Sequence, residues 1–186
     1  MPMPLPAESL GLIVRALTFA AEKHRDQRRK DAGASPYINH PIALANVLVN
    51  EGGIEDPVVI CAALLHDTVE DTETTFAELE EHFGAAIAGV VREVTDDKAL
   101  PKAERKREQV RHAATASHAA RLVKLADKIC NLRDMMTSPP AGWDLQRRIE
   151  YFEWAREVVD QVAGTHPGLE KSFRLAYERV QALRDA

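Results

Sequence analysis

Apolar residues recur at three- and four-residue spacing along almost the whole chain. Leu10, Ile13, Val14, Leu17, Ala20 and Ala21 would line one face of a helix over residues 10–23. Gly33 and Pro36 interrupt the pattern. A second helix is expected from His40-Pro41, where proline suits a first turn, through Leu44, Val47 and Leu48 to the Gly52-Gly53 stop. Asp56-Pro57 then opens the most apolar stretch, residues 58–65. A helix apolar on every side belongs in the centre of a domain. Thr75-Phe76-Ala77-Glu78 reads as a capping box for a short helix ending near Gly84, and residues 85–94 continue as another. A charged helix over 102–116 and an amphipathic one over 118–136 follow. Pro139-Pro140-Ala141-Gly142 is the clearest break, and helices over 143–162 and 169–183 close the chain. No long run alternates β-branched residues, and no Asn-Gly hairpin signal occurs. The expected fold class is all-α, a single domain over residues 1–186 without internal repeat or linker.

Composition narrows the class further. With 45% hydrophobic residues in a chain of 186, a continuous core is affordable in length and a wholly disordered chain is excluded. The formal net charge of -5 argues against a general nucleic-acid binder, which would carry a broad basic face. It leaves room for a small anionic ligand, because a basic cluster acts within a Debye length whatever the total charge. Cys61 and Cys130 lie in apolar runs without metal-type spacing, so a buried, reduced pair is expected. Residues 1–9 have neither a basic n-region nor an apolar stretch, so they do not read as a secretion signal. Nothing approaches the ~18 apolar residues of a membrane span. The expectation is a soluble, cytoplasmic chain with no membrane partner.

The sharpest chemical feature is His66-Asp67-Thr68-Val69-Glu70-Asp71, at the end of that most apolar helix. Ionisable groups buried there need partner charges or a metal. If the helix continues, Glu70 lies one turn beyond His66 and Asp71 one turn beyond Asp67. A metal held at the first level would leave the second placed to handle a water proton. The bland alternative is a helix end whose acids face water. A second feature lies between Leu122 and Asp134. Leu122, Leu125, Ile129 and Leu132 form an apolar stripe, while Lys124, Asp127, Asn131 and Asp134 form a polar one. Such a polar stripe is ordinarily solvated; Asp127 gains weight because a metal on His66 and Asp67 needs further ligands. His40, held at a helix start by Pro41, either faces inward as a ligand or merely sits on the surface. Together these residues offer two imidazoles and two carboxylates. That set suits manganese, iron, cobalt or zinc and does not choose among them.

Three basic runs stand out in an acidic chain: Lys23 to Lys30, Lys102 to Arg111, and Arg147-Arg148. The middle one reads by default as a solvated face. Arg29-Lys30, ten residues before His40, is favoured for phosphate contact, since guanidinium and ammonium groups grip phosphate oxygens well. His24, His82, His112, His118 and His166 lack a partner at metal spacing and read as surface or structural.

A separated His, then His-Asp, then a distant Asp resembles the HD-domain phosphohydrolase superfamily. Arg28-Arg29-Lys30, Tyr37-Ile38-Asn39-His40-Pro41, Ala63 to Asp71 and Leu125 to Arg133 are similar to the hydrolase half of the RelA/SpoT proteins. Thr95-Asp96-Asp97-Lys98 and Tyr151-Phe152-Glu153-Trp154-Ala155 resemble its stand-alone branch, the small alarmone hydrolases of the Mesh type. The resemblance covers roughly residues 8–165. It implies an all-helical HD bundle and manganese-dependent removal of the 3′-pyrophosphate from ppGpp or pppGpp, a small-molecule guanosine polyphosphate. It also implies His40, His66, Asp67 and Asp127 as metal ligands, with Glu70 and Asp71 orienting and deprotonating water. Arg29 and Lys30 would contact phosphates, Asn131 the sugar region, and Lys102, Arg147 and Tyr151 further phosphate oxygens. Two alternatives stay open: another phosphorylated nucleotide such as NADPH on the same scaffold, and a nucleotide sensor without turnover.

Overall fold

Residues 57–65 form the helix around which the others assemble. The computed structural model describes residues 6–185. Residues 1–5, part of the start read as carrying no secretion signal, lie outside the described residues. The described elements are α1 (Ala7–Lys23), α2 (Asn39–Asn46) continued by a π-helical turn (Val47–Glu51), α3 (Pro57–Leu65), α4 (Thr68–Asp71), α5 (Phe76–Phe83) and α6 (Ala85–Val94). After them come α7 (Lys102–Ala113), α8 (His118–Thr137), α9 (Leu145–Asp160), α10 (Pro167–Tyr177) and α11 (Val180–Arg184). Among the described residues the only β-type pairings are isolated bridges, Arg28 with Pro36 and Asp31 with Pro140. The all-α expectation therefore holds.

In α3, the residues from Val59 to Leu65 are all buried, as a helix apolar on every face must be. Each such leucine contributes on the order of 1.5–3 kcal/mol by leaving water. Asp56 starts the helix by accepting from the Val58 N–H at 2.8 Å, with Pro57 in the first turn. Helices α1, α2, α6 and α8 pack around it, and α8 in turn meets α2, α6, α9 and α10. One hydrophobic cluster runs from Ala16 to Leu183. Cys61 and Cys130 are free and buried within it, as their surroundings in the sequence suggest. No described helix is long and apolar enough to cross a membrane.

Several boundaries differ from the periodicity. α3 ends at Leu65, and α4 starts afresh at Thr68. The His-Asp pair therefore occupies a break, not a continuous helix. Beyond α2 the backbone widens, the Gly52 N–H reaching the Val47 carbonyl at 3.0 Å. The expected helix over 169–183 is two pieces, and the turn at Glu178-Arg179 lets Val180 and Leu183 bury themselves where α11 meets α9. The cap expected at Thr75 forms, its hydroxyl accepting from the Glu78 N–H at 3.2 Å. Ser117, Asp144 and His166 cap α8, α9 and α10 in the same way.

The long connection between α1 and α2 is held by backbone pairing. Arg29 N–H donates to the Ser35 carbonyl at 2.8 Å, Tyr37 N–H to Gln27 at 3.1 Å, and Ala141 N–H to Lys30 at 2.6 Å. The last of these requires the turn before α9, where Gly142 takes φ 76°, a conformation that favours glycine. These bonds carry Arg29 and Lys30 to the mouth of the site.

Candidate active site

His66 is the first residue past α3, and its position follows from that helix end. Its Nδ1–H donates to the Ala63 carbonyl at 2.8 Å, which turns Nε2 toward the other donor groups. That Nε2 is buried without a hydrogen-bond partner, although Asp67 Oδ2 lies 2.9 Å away. His40, in the first turn of α2, faces it with ring centroids 5.3 Å apart. His40 Nε2 sits 3.2 Å from Asp127 Oδ1, contributed by α8. Donor atoms of His40, His66 and Asp67 all fall within 4.8 Å of one another, and Asp127 joins them through His40. Two imidazoles and two carboxylates crowding at such distances, with a buried ring nitrogen left without a hydrogen bond, fit a divalent cation. The backbone carbonyl that fixes the His66 tautomer is the kind of outer support metal-binding histidines use.

The electrostatics agree with that donor set. Burial would raise the Asp67 carboxyl, but the charges of His66 and His40 outweigh it and hold it well below the usual range. Asp127 is likewise held low against burial, first by Lys128 and then by His40. Tyr37 donates its hydroxyl to Asp67, which together with burial holds its proton firmly.

Glu70 behaves differently. Burial, reinforced by the charges of Asp67 and Asp96, raises its carboxyl to about 7. It accepts from the Asp96 N–H at 3.3 Å and has Arg105 at 3.8 Å. Asp71 is already engaged, by Lys98 at 2.6 Å and by the Gln27 amide at 2.9 Å. Successive positions on α4 thus give the two acids separate surroundings.

A cavity of about 310 Å³ opens on the donor set. Arg29, Lys30, His40, Asp67, Glu70, Lys102, Asp127, Asn131 and Tyr151 line it, so the structure gathers most of the residues singled out from the sequence. Asp71 lines the adjoining cavity, which shares Arg29, Lys30 and Glu70 with the first. Arg147 is not among the residues that line either cavity; its guanidinium lies 4.2 Å from the centre of the ring of Trp143, which lines the first. Asn131 donates to Asp127 Oδ1 at 2.6 Å, and Arg29 pairs with Asp134 at 2.7 Å.

Two default readings fail here. Most of the polar stripe of α8 is not solvated: Lys124 is buried, Asp127 and Asn131 face the cavity, and Asp134, paired with Arg29, keeps partial exposure. In the middle basic run, Lys102, Arg105 and Lys106 also face the cavity, while Arg107 and Arg111 are exposed as expected. The sequence reading assigned no role to Tyr37, Asp96, Arg105, Lys106, Gln109, Lys128, Trp143 or Trp154, all of which line it. Lys124 and Lys128, charged and one turn apart beside apolar neighbours, were a usable signal. Gln109 offered none. Among the other histidines, His24 is buried against Tyr37, and His166 caps α10.

A buried His-Asp pair ending a central helix, with a further His and Asp converging on it, defines a hydrolase of the HD class. The HD domain family matches residues 16–151. A zebrafish (Danio rerio) protein named guanosine-3′,5′-bis(diphosphate) 3′-pyrophosphohydrolase MESH1 is 57% identical over 166 residues, covering 89% of this chain and 92% of its own. The Homo sapiens protein of the same name is 55% identical, covering 90% and 93%. A solved structure described as a metazoan ortholog of SpoT that hydrolyzes ppGpp superposes with a TM-score of 0.89 at 46% identity, covering 96% of this chain and 98% of its own. The chain belongs to the HD-domain family, within its stand-alone Mesh-type branch of hydrolases.

Proposed function

We propose that this chain is a manganese-dependent hydrolase that removes the 3′-pyrophosphate of guanosine 3′,5′-bis(diphosphate) and its pentaphosphate counterpart, in the cytoplasm, and so lowers an alarmone signal. The observation that carries this is the single cavity in which His40, Asp67 and Asp127 meet Glu70 and a wall of cations, with buried His66 within 4.8 Å of the His40 and Asp67 donor atoms. The names borne by relatives more than half identical support the substrate.

His40, His66, Asp67 and Asp127 would hold the ion, which when bound supplies Lewis-acid polarisation and acidifies a water. Glu70 takes the proton from the attacking water, a task suited to a carboxyl raised to about 7. Asp71, fixed by Lys98 and Gln27, orients that water. Arg29, Lys30, Lys102 and Arg147 offset charge on the pyrophosphate. Asn131 sits against the sugar and Tyr151 against a phosphate oxygen.

The test is to strip the protein of metal, restore manganese, and separate ppGpp from its products by ion exchange. GDP and pyrophosphate should appear, and Asp67→Ala should lose both metal binding and turnover. Release of inorganic phosphate from NADPH, with none of these products from ppGpp, would move the substrate assignment to that nucleotide. Tight ppGpp binding without turnover under any divalent ion would make the chain a sensor.

A further inference from the structure

Hydrogen bonds run unbroken from Glu70 to Asp127 by a route that passes through α7. The Asp96 backbone N–H donates to Glu70 Oε2 at 3.3 Å. The Asp96 carboxylate accepts from the side-chain amide of Gln109. Gln109 Oε1 accepts from Lys128 Nζ at 3.2 Å, and the same ammonium donates to Asp127 Oδ2 at 2.8 Å. Lys128 is buried under the Trp154 ring, 4.4 Å from its centre, so it has little freedom to leave. Asp127 is thereby left with Oδ1 facing His40.

The link at position 109 has a specific chemical demand. Its two neighbours are a carboxylate and an ammonium, and only a group with both a donor and an acceptor can bridge them. A primary amide has both; a carboxylate or an ammonium would satisfy one neighbour and repel the other. We propose that Gln109 is a positioning residue of the hydrolase. It sets the Asp96 amide against Glu70 and Lys128 against Asp127, holding proton acceptor and metal-binding carboxylate in one register. The inference rests on the reading of Glu70 as the base.

In manganese-loaded protein, Gln109→Leu should lower kcat for ppGpp roughly 10- to 100-fold, the scale expected from a misplaced catalytic group, with KM nearly unchanged. Gln109→Glu, close to isosteric, should lose kcat similarly and serves if the leucine variant does not fold. Asp96→Ala should fall with them, and Asp96→Asn, which keeps an oxygen for Gln109, should recover most of that loss. The Gln109→Leu/Asp96→Ala double variant should be no worse than the poorer single one, because both break one chain. Independently of turnover, amide exchange at Asp96 in metal-free protein should accelerate in either Gln109 variant. Undiminished kcat, a loss confined to KM, or additive losses in the double variant would overturn the proposal. If the wild type leaves ppGpp intact, the substrate assignment fails, and the exchange measurement alone decides: unchanged exchange at Asp96 sinks the positioning role.

Discussion

Lys124 and Lys128 stand one turn apart on α8, both buried, and the protein treats their charges in opposite ways. Burial works against the Lys128 ammonium, but Asp127 beside it more than compensates and its pKa is raised. Lys124 has Asp96, Asp127 and Glu93 only as more distant compensation; burial, then repulsion from Lys128, pushes it down to about 8. Its unfolded value lies near 10.5. Below pH 8 both states hold the proton, and the folded state bears the whole burial cost. Between the two values the folded protein releases the proton first, so this group's contribution to stability rises with pH. Lys124→Met should therefore stabilise the fold at pH 7, by at most about 3 kcal/mol, with the gain shrinking toward pH 10. Urea titrations at both pH values check this; a variant less stable than wild type at pH 7 would mean the ammonium is paid back by a partner. At Glu70 the prediction concerns rate. Glu70→Gln should cut kcat by roughly 10²- to 10⁴-fold while manganese binding, followed by calorimetry, persists.

At the scale of elements, α7 and α9 form the cation-bearing side of the cavity. Trp154 on α9 donates its indole N–H to the Lys106 carbonyl at 3.1 Å, and its ring lies 4.9 Å from the Lys106 ammonium. Trp143 similarly takes Lys102 at 5.6 Å and Arg147 at 4.2 Å. Aromatic faces thus hold the long cationic side chains near the cavity without neutralising them. Trp154→Phe retains an aromatic face and loses the bond to α7. It should cost about 1 kcal/mol of stability and raise KM for ppGpp more than it lowers kcat. Steady-state kinetics alongside thermal melting would show it, and an unchanged KM would count against α7 as a phosphate-binding element.

The molecule as a whole carries a formal net charge of -5, yet one cavity collects Arg29, Lys30, Lys102, Arg105, Lys106 and Lys128. Their crowding registers in Lys102 and Lys106, whose pKa values fall through burial and then through repulsion by neighbouring cations. A highly anionic substrate relieves that repulsion, and salt competes for it. KM for ppGpp should therefore rise steeply as salt is raised, with kcat much less affected. A salt-independent KM would remove the cation wall from substrate recognition.

Most helix positions, the all-α class, the helix starts at Asp56-Pro57 and Thr75, and the His66-Asp67 pair at the end of the core helix were legible in the sequence. Each is a local pattern: periodicity, a capping side chain, or ionisable residues abutting an apolar run. Residue types also announced a divalent-ion donor set, and motif resemblance supplied the family. Tertiary structure alone decided which way the polar stripe of α8 faces, because a stripe beside water and one beside a polar cavity have the same spacing. It also ended α3 at Leu65 and chose the partners of Glu70 and Asp71. The reason lies in separation along the chain: Asp127 meets His40 across 87 positions, and Gln109 meets Asp96 across 13 and Lys128 across 19. Local periodicity carries no information about such meetings, which packing around α3 and α8 brings about.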